Sequence, residues 1–143
     1  MDSNRKSAYR PSDDEPYMNP RQLDYFRQRL LDWRKELMAA SQETLLKMNQ
    51  ESSVHPDPVD RAAQESDTAL ELRTRDRYRK LLAKIDEALE RINTGTYGYC
   101  EETGDPIGLK RLEARPIATL SLEAQSNHER AEKEQSAYHS GKR

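Results

Sequence analysis

An all-α fold, a long antiparallel coiled-coil hairpin carrying a small globular domain, is what this sequence predicts, and three observations predict it. Apolar side chains recur at three- and four-residue steps in two long segments. A double-proline break separates those segments, and a stretch rich in glycine and proline follows the second. Composition agrees: of 143 residues, hydrophobic types make up 34% and charged types 35%. That is too little apolar surface for one compact core, and it suits helices that each bury a narrow stripe. With 5 glycines, 7 prolines and 1 phenylalanine, a β-sandwich or barrel is a poor fit.

Residues 1–18 are polar, carry Pro11 and Pro16, and read as a loosely held N-terminal arm. Asn19-Pro20 then supplies an N-cap and a proline at the first helical position. Leu23, Phe26, Leu30, Trp33, Leu37, Ala40 and Thr44 alternate in steps of three and four, a heptad stripe with a period near 3.5. Met48 extends it loosely, and the apolar character fades by Ser52-Ser53, so the first helix is expected from Pro20 to Ser53.

His55-Pro56-Asp57-Pro58 forbids a continuous helix, because each proline removes a donor and restricts the residue before it. The same residues restart one. Asp57 caps, Pro58 fits the first helical position, and Asp60 falls in the first turn beside the positive end of the helix dipole. The second helix is expected to run to about Asn93, with Gly95 as its stop. Its later half carries Tyr78, Leu81, Ile85, Ala88 and Ile92. Its middle shows no apolar stripe: Arg73, Arg75, Arg77, Arg79 and Lys80 crowd there, partly offset by Glu71 and Asp76. Stripes of similar length on a short connection pair antiparallel, which makes residues 19–94 a hairpin with its tip near 54–62. A dimeric coiled coil built from single helices is the alternative, and the proline break midway between the stripes argues against it.

Residues 95–138 form the remaining expected unit. Gly95, Gly98, Gly104, Pro106, Gly108 and Pro116 make a compact, turn-rich finger. A polar helix from about Ser121 to Tyr138 follows, placing Leu122 to pack on that finger, and residues 139–143 are left as a tail. A net charge of −2 gives no sign of a nucleic-acid partner. Cys100 is the single cysteine, so no intramolecular disulfide forms. Met1 to Arg10 lacks the apolar run of a signal peptide, and no segment approaches a membrane span. The chain is expected to be soluble, cytoplasmic and monomeric, with no membrane partner. No nucleophile–base pair, phosphate loop or metal constellation points to an enzyme.

Tyr97-Gly98-Tyr99-Cys100-Glu101-Glu102-Thr103-Gly104, then Pro106-Ile107-Gly108 and Arg111 to Pro116, resemble the four-cysteine finger of the DksA/TraR family. The family pattern is C-x2-C-x17-C-x2-C, and its four positions here hold Cys100, Thr103, Ser121 and Ala124. The spacing survives and three ligands do not. Structural zinc takes thiolate, imidazole or carboxylate donors, so the finger is expected to hold no zinc. It must then stand on packing of Tyr97, Tyr99, Ile107, Leu109 and Leu112, with Cys100 a small, partly buried side chain. His55 falls at the expected hairpin tip, and His128 and His139 lie on or beyond the last helix without ligand spacing. Tyr17-Met18-Asn19, Pro56 to Glu65, and Glu71 to Arg77 are also similar to the family, so the likeness covers about residues 17–135.

That resemblance implies a non-enzymatic transcription regulator that binds RNA polymerase and makes no sequence-specific contact with nucleic acid. In the family the hairpin enters the secondary channel. With ppGpp (guanosine tetraphosphate) it modulates initiation at ribosomal-RNA and amino-acid promoters, as part of the stringent response. The family's tip motif D-x-x-D-x-A falls on Asp57, Asp60 and Ala62. Its ppGpp-contacting positions fall on Lys84 and Arg115, while a third, normally lysine, is Gln125. Arg73 and Arg77 match basic positions that brace the hairpin on the polymerase. For Arg75 and Arg79 a solvated helix face is an equal reading. A Gre-like transcript cleavage factor, a structural coiled-coil scaffold and a zinc-dependent nucleic-acid-binding module are the other readings. The finger and the tip motif favour the polymerase regulator.

Overall fold

The computed structural model describes residues 9–50 and 57–141. Residues 51–53, expected to end the first helix, lie outside the described residues, as do 54–56 of the expected tip, residues 1–8 and residues 142–143. Four helices make up most of the described chain: α1 (Pro20–Gln50), α2 (Pro58–Thr94), α3 (Leu109–Ala114) and α4 (Leu122–Gly141). Among the described residues there is no strand, and one isolated antiparallel bridge joins Tyr99 to Pro106.

The helix ends follow the local chemistry. Asn19 Oδ1 accepts the amides of Arg21 at 2.9 Å and Gln22 at 3.2 Å, which caps α1. Asp57 Oδ1 accepts the Val59 amide at 3.0 Å and so caps α2. Gly95, at φ 82, ends α2. The amides of Thr96 and Tyr97 both return to the Arg91 carbonyl, at 2.9 and 3.2 Å, satisfying an acceptor that the last turn would leave open.

The chain divides into two compact units, Gln28–Leu89 and the pairing of Met1–Arg27 with Glu90–Arg143. In Gln28–Leu89, α1 buries Leu30 and Leu37 and α2 buries Ile85 and Ala88. Trp33, Ala40, Thr44, Tyr78 and Leu81 are half-buried along the same stripes. Arg34 Nε meets Asp86 Oδ1 at 2.9 Å, and Lys47 Nζ meets Glu71 Oε1 at 3.7 Å. Numbers rise along α1 as they fall along α2, so the two helices run antiparallel as the stripes require. The stripe of α2 continues through its basic middle, but as Gln64, Thr68, Glu71 and Arg75, all half-buried. The three–four period is kept while the apolar character is lost, which is why hydrophobicity alone shows no pattern there.

The other unit packs Phe26 of α1 against Tyr97, with ring centroids 5.7 Å apart. Leu112 is wholly buried with them, and Ile107 and Leu109 are buried too. Two expectations are corrected in this unit. Tyr99 is 38% exposed and packs on the edge of Tyr17 rather than into the core, and Leu122 is 67% exposed, because α4 turns Ala124 inward at that level. Beyond Gln125 the described part of α4 is solvated, and the helix continues past Tyr138 to Gly141.

The arm is a third correction. Residues 9–18 are fixed by side-chain hydrogen bonds rather than by apolar periodicity. Gln22, a wholly buried polar side chain, accepts the Met18 amide at 2.8 Å. Its amide nitrogen donates to the Ser12 carbonyl at 3.1 Å and to Glu15 Oε2 at 3.2 Å. Tyr9 donates to the same Glu15 oxygen at 2.6 Å and lies under the Arg21 guanidinium, 3.9 Å from its ring centroid.

Candidate functional site

The residues singled out in the sequence fall into three groups. The first opens α2, where Asp57, Asp60 and Ala62 are all exposed on its first turns. The Asp57 side chain serves as the cap, so its carboxylate is partly committed to the helix. Asp60 lies in the first turn and presents a negative charge to solvent from a helix start held in place by that cap.

The second group is the basic length of α2. Arg73, Arg77 and Lys84 are exposed. Arg73 Nε leans back on the Ala69 carbonyl at 3.4 Å. Arg79 and Lys80 are occupied by Asp76, at 2.7 and 3.0 Å, and these two cations hold the Asp76 carboxyl below the usual carboxylate range. Asp76 therefore pairs with two of the exposed cations, and Arg73, Arg77 and Lys84 stand exposed on the same helix. Arg75 differs from its neighbours. Its Nε is buried without a hydrogen-bond partner among the described residues, as is Glu71 Oε2 one helical turn away.

The third group is the finger. Cys100 is buried, at 3% exposure. The Thr103 hydroxyl draws its thiol down to about 6 against the opposing effect of burial, with lesser help from the amide and hydroxyl of Ser121. Ala124, in the fourth ligand position, is buried as a small apolar side chain. The Ser121 hydroxyl caps α4 by accepting the Ala124 amide at 3.2 Å. The four positions therefore meet as one thiol, two hydroxyls and a methyl group. This donor set does not fit zinc. Among the described residues no cluster of three or more His, Cys, Asp or Glu is placed to hold a metal ion.

Backbone bonds close the finger instead. Cys100 N donates to the Asp105 carbonyl and Ile107 N to the Gly98 carbonyl, both at 2.8 Å. Glu101 N donates to the Thr119 carbonyl at 2.9 Å, and the Tyr97 hydroxyl to the Pro116 carbonyl at 2.8 Å. Arg111 Nε donates to the Leu120 carbonyl at 3.0 Å. Arg115 caps α3 with its backbone amide on the Arg111 carbonyl, and the residue is exposed. Lys84 and Arg115 belong to different units.

Sequence reading missed several participants. His128 pairs with Glu102 of the finger, and that bond raises the imidazole above its usual range. Their separation of 26 residues leaves no periodic trace. Gln22 sits one residue before the start of the apolar stripe, and its burial as a polar side chain leaves no hydrophobic signal in the sequence.

Comparison with known proteins bears on all three groups. Residues 22–92 match the family described as DnaK suppressor protein DksA, N-terminal domain. Residues 95–130 match the prokaryotic dksA/traR C4-type zinc finger. The chain is 62% identical over 128 residues to the RNA polymerase-binding transcription factor DksA of Caulobacter vibrioides, covering 90% of each. It is 45% identical over 126 residues to the protein of that name from Escherichia coli K12, covering 88% of this chain and 83% of that one. Among solved structures, transcription factor DksA2 from Pseudomonas aeruginosa superposes with a TM-score of 0.79 at 39% identity, over 93% of this chain and 99% of that one.

Proposed function

The chain belongs to the DksA family, and from that membership we propose that it binds RNA polymerase in the cytoplasm, as a monomer, and regulates initiation without catalysing a reaction. The observation that carries this reading is 62% identity, over 90% of both chains, to an RNA polymerase-binding transcription factor. The hairpin supplies reach: two helices of 31 and 37 residues extend the start of α2 far along their length at about 1.5 Å per residue. Its tip enters the secondary channel, where Asp57 holds the helix start and Asp60 faces a basic lining. Arg73 and Arg77 brace the hairpin on the polymerase.

In the same reading ppGpp is the effector at the polymerase interface, contacted by Lys84 and Arg115. Charge-assisted bonds to phosphate are the stronger class of hydrogen bond, so two exposed cations suit a pyrophosphate ligand. Gln125 lacks the charge of the family's lysine, which makes the response to ppGpp weaker than in a lysine-bearing relative.

The test uses Asp60→Asn. Asparagine keeps the size and the capping ability of aspartate and removes the charge. Competition binding to polymerase should be retained while inhibition of a ribosomal-RNA promoter falls sharply. A fully active Asp60→Asn protein would reduce Asp57 and Asp60 to helix caps. Lys84→Ala and Arg115→Ala should each lower the ppGpp-dependent part of inhibition, and Gln125→Lys should raise it. Unchanged ppGpp dependence in both alanine variants would remove the ligand from this surface.

A further inference from the structure

The finger's loop between Gly98 and Gly108 lacks the four-donor cross-link of a C4 finger, and the bonds within it are local. The bridge between Tyr99 and Pro106, and the bonds of Cys100 N to Asp105 and Ile107 N to Gly98, span only a few residues. Glu101 and Glu102 add ties at one turn of the loop, to Thr119, Arg91 and His128, and none of these reaches its two ends at Gly98 and Gly108. Two further bonds reach it from far away in the sequence, and both end on one atom. The Tyr17 hydroxyl donates to the Gly98 carbonyl at 2.7 Å and accepts the Gly108 amide at 3.0 Å, across separations of 81 and 91 residues. Tyr17 therefore grips both legs of the loop. Its ring also stands edge-on to Tyr99, with centroids 5.6 Å apart.

The backbone around it is built for this contact. Met18 holds φ 55, a left-handed conformation rarely adopted by a side chain of its size. Its Cγ and Sδ lie 2.9 Å from where a Cβ on Gly98 would stand, so only glycine lets the arm approach so closely. The buried Gln22 holds the Met18 amide and ties Ser12 and Glu15 behind it. We propose that Tyr17 is the positioning residue of the finger, its hydroxyl doing for this chain what a metal ion does for a four-cysteine finger. The inference concerns how the finger is held, and it stands whether or not ppGpp binds.

The test is amide hydrogen exchange on the full chain. Tyr17→Phe keeps the ring and its packing and removes both long-range bonds. Exchange at the amides of residues 98–108 should quicken about tenfold or more, the scale of a lost bond that leaves a shielded group unpaired. Amides of the hairpin around Leu37 and Ile85 should keep their protection. The same substitution is then placed in a chain carrying Thr103→Cys, Ser121→Cys and Ala124→Cys, saturated with zinc. There the metal ties the loop, and Tyr17→Phe should change exchange by less than about twofold. Unchanged exchange in the metal-free chain would overturn the proposal. So would a loop that stays deprotected with zinc bound, since the tyrosine would then be an ordinary packing contact. If Tyr17→Phe prevents the metal-free chain from folding, the zinc-bound background decides alone: a protected finger there supports the proposal, and an unprotected one overturns it.

Discussion

Toward the start of α2, the hairpin unit Gln28–Leu89 has no fully buried side chain beyond Leu37 and Ile85 among the described residues, and it shields two unpaired polar atoms. The unit formed by Met1–Arg27 and Glu90–Arg143 instead closes around Phe26, Tyr97 and Leu112, with hydrogen bonds linking segments about 80 to 90 residues apart. One is a stripe that thins along its length; the other is a small core stitched by polar side chains. Stability is therefore concentrated in the finger unit and, within the hairpin, around Leu30, Leu37, Ile85 and Ala88. The far half of the hairpin is left for reach.

Large-to-small changes break that comparison most strongly. Phe26→Ala should cost about 3–5 kcal/mol and Leu30→Ala about 2–5 kcal/mol, read as the shift of a chemical melt. Leu46→Ala, at an exposed position of the far half, should stay within about 0.5 kcal/mol. A comparable loss at Leu46 would mean that the far half carries a core of its own.

The hairpin was legible because its stripe repeats: Leu30, Leu37, Ile85 and Ala88 are core positions in the sequence and in the structure. The finger was legible through spacing, since Cys100, Thr103, Ser121 and Ala124 keep the family's intervals without its chemistry. The arm was not. Its order comes from Tyr9, Glu15, Tyr17 and Gln22, polar side chains whose partners are set by tertiary approach rather than by any period. Glu71 and Arg75 left no apolar trace for a related reason. They occupy interior positions of a stripe whose apolar character has already faded.

The polar layer sharpens the comparison with the next largest effect. Replacing Glu71 and Arg75 together by leucine removes both unpaired atoms, and Lys47, which is exposed, loses little. The double variant should lie between unchanged and about 3 kcal/mol more stable. A strongly destabilised double variant would show that these groups hold the hairpin together.

Metal removal should do nothing. Purified protein should contain no stoichiometric zinc, and chelator should leave its melting temperature unchanged, since three of the four ligand positions offer no donor that zinc takes. Close to one zinc per chain, or melting on chelation, would contradict this.

The smallest effect is a pH dependence at the finger. The Glu102 carboxylate raises the His128 imidazole, so the pair's contribution to stability is complete below the ordinary histidine pKa. It is lost as pH rises through the raised folded value. A nuclear magnetic resonance titration of His128 should show the upward shift, and Glu102→Gln should remove it. An unshifted imidazole in the unsubstituted chain would dissolve the pair.

In-vitro transcription from a ribosomal-RNA promoter, with RNA polymerase and this protein at matched concentrations with and without ppGpp, tests the regulatory reading most directly. Inhibition by the protein alone, deepened by ppGpp, is the predicted result. A promoter whose output is unchanged by the protein, while competition shows it bound to polymerase, would contradict it.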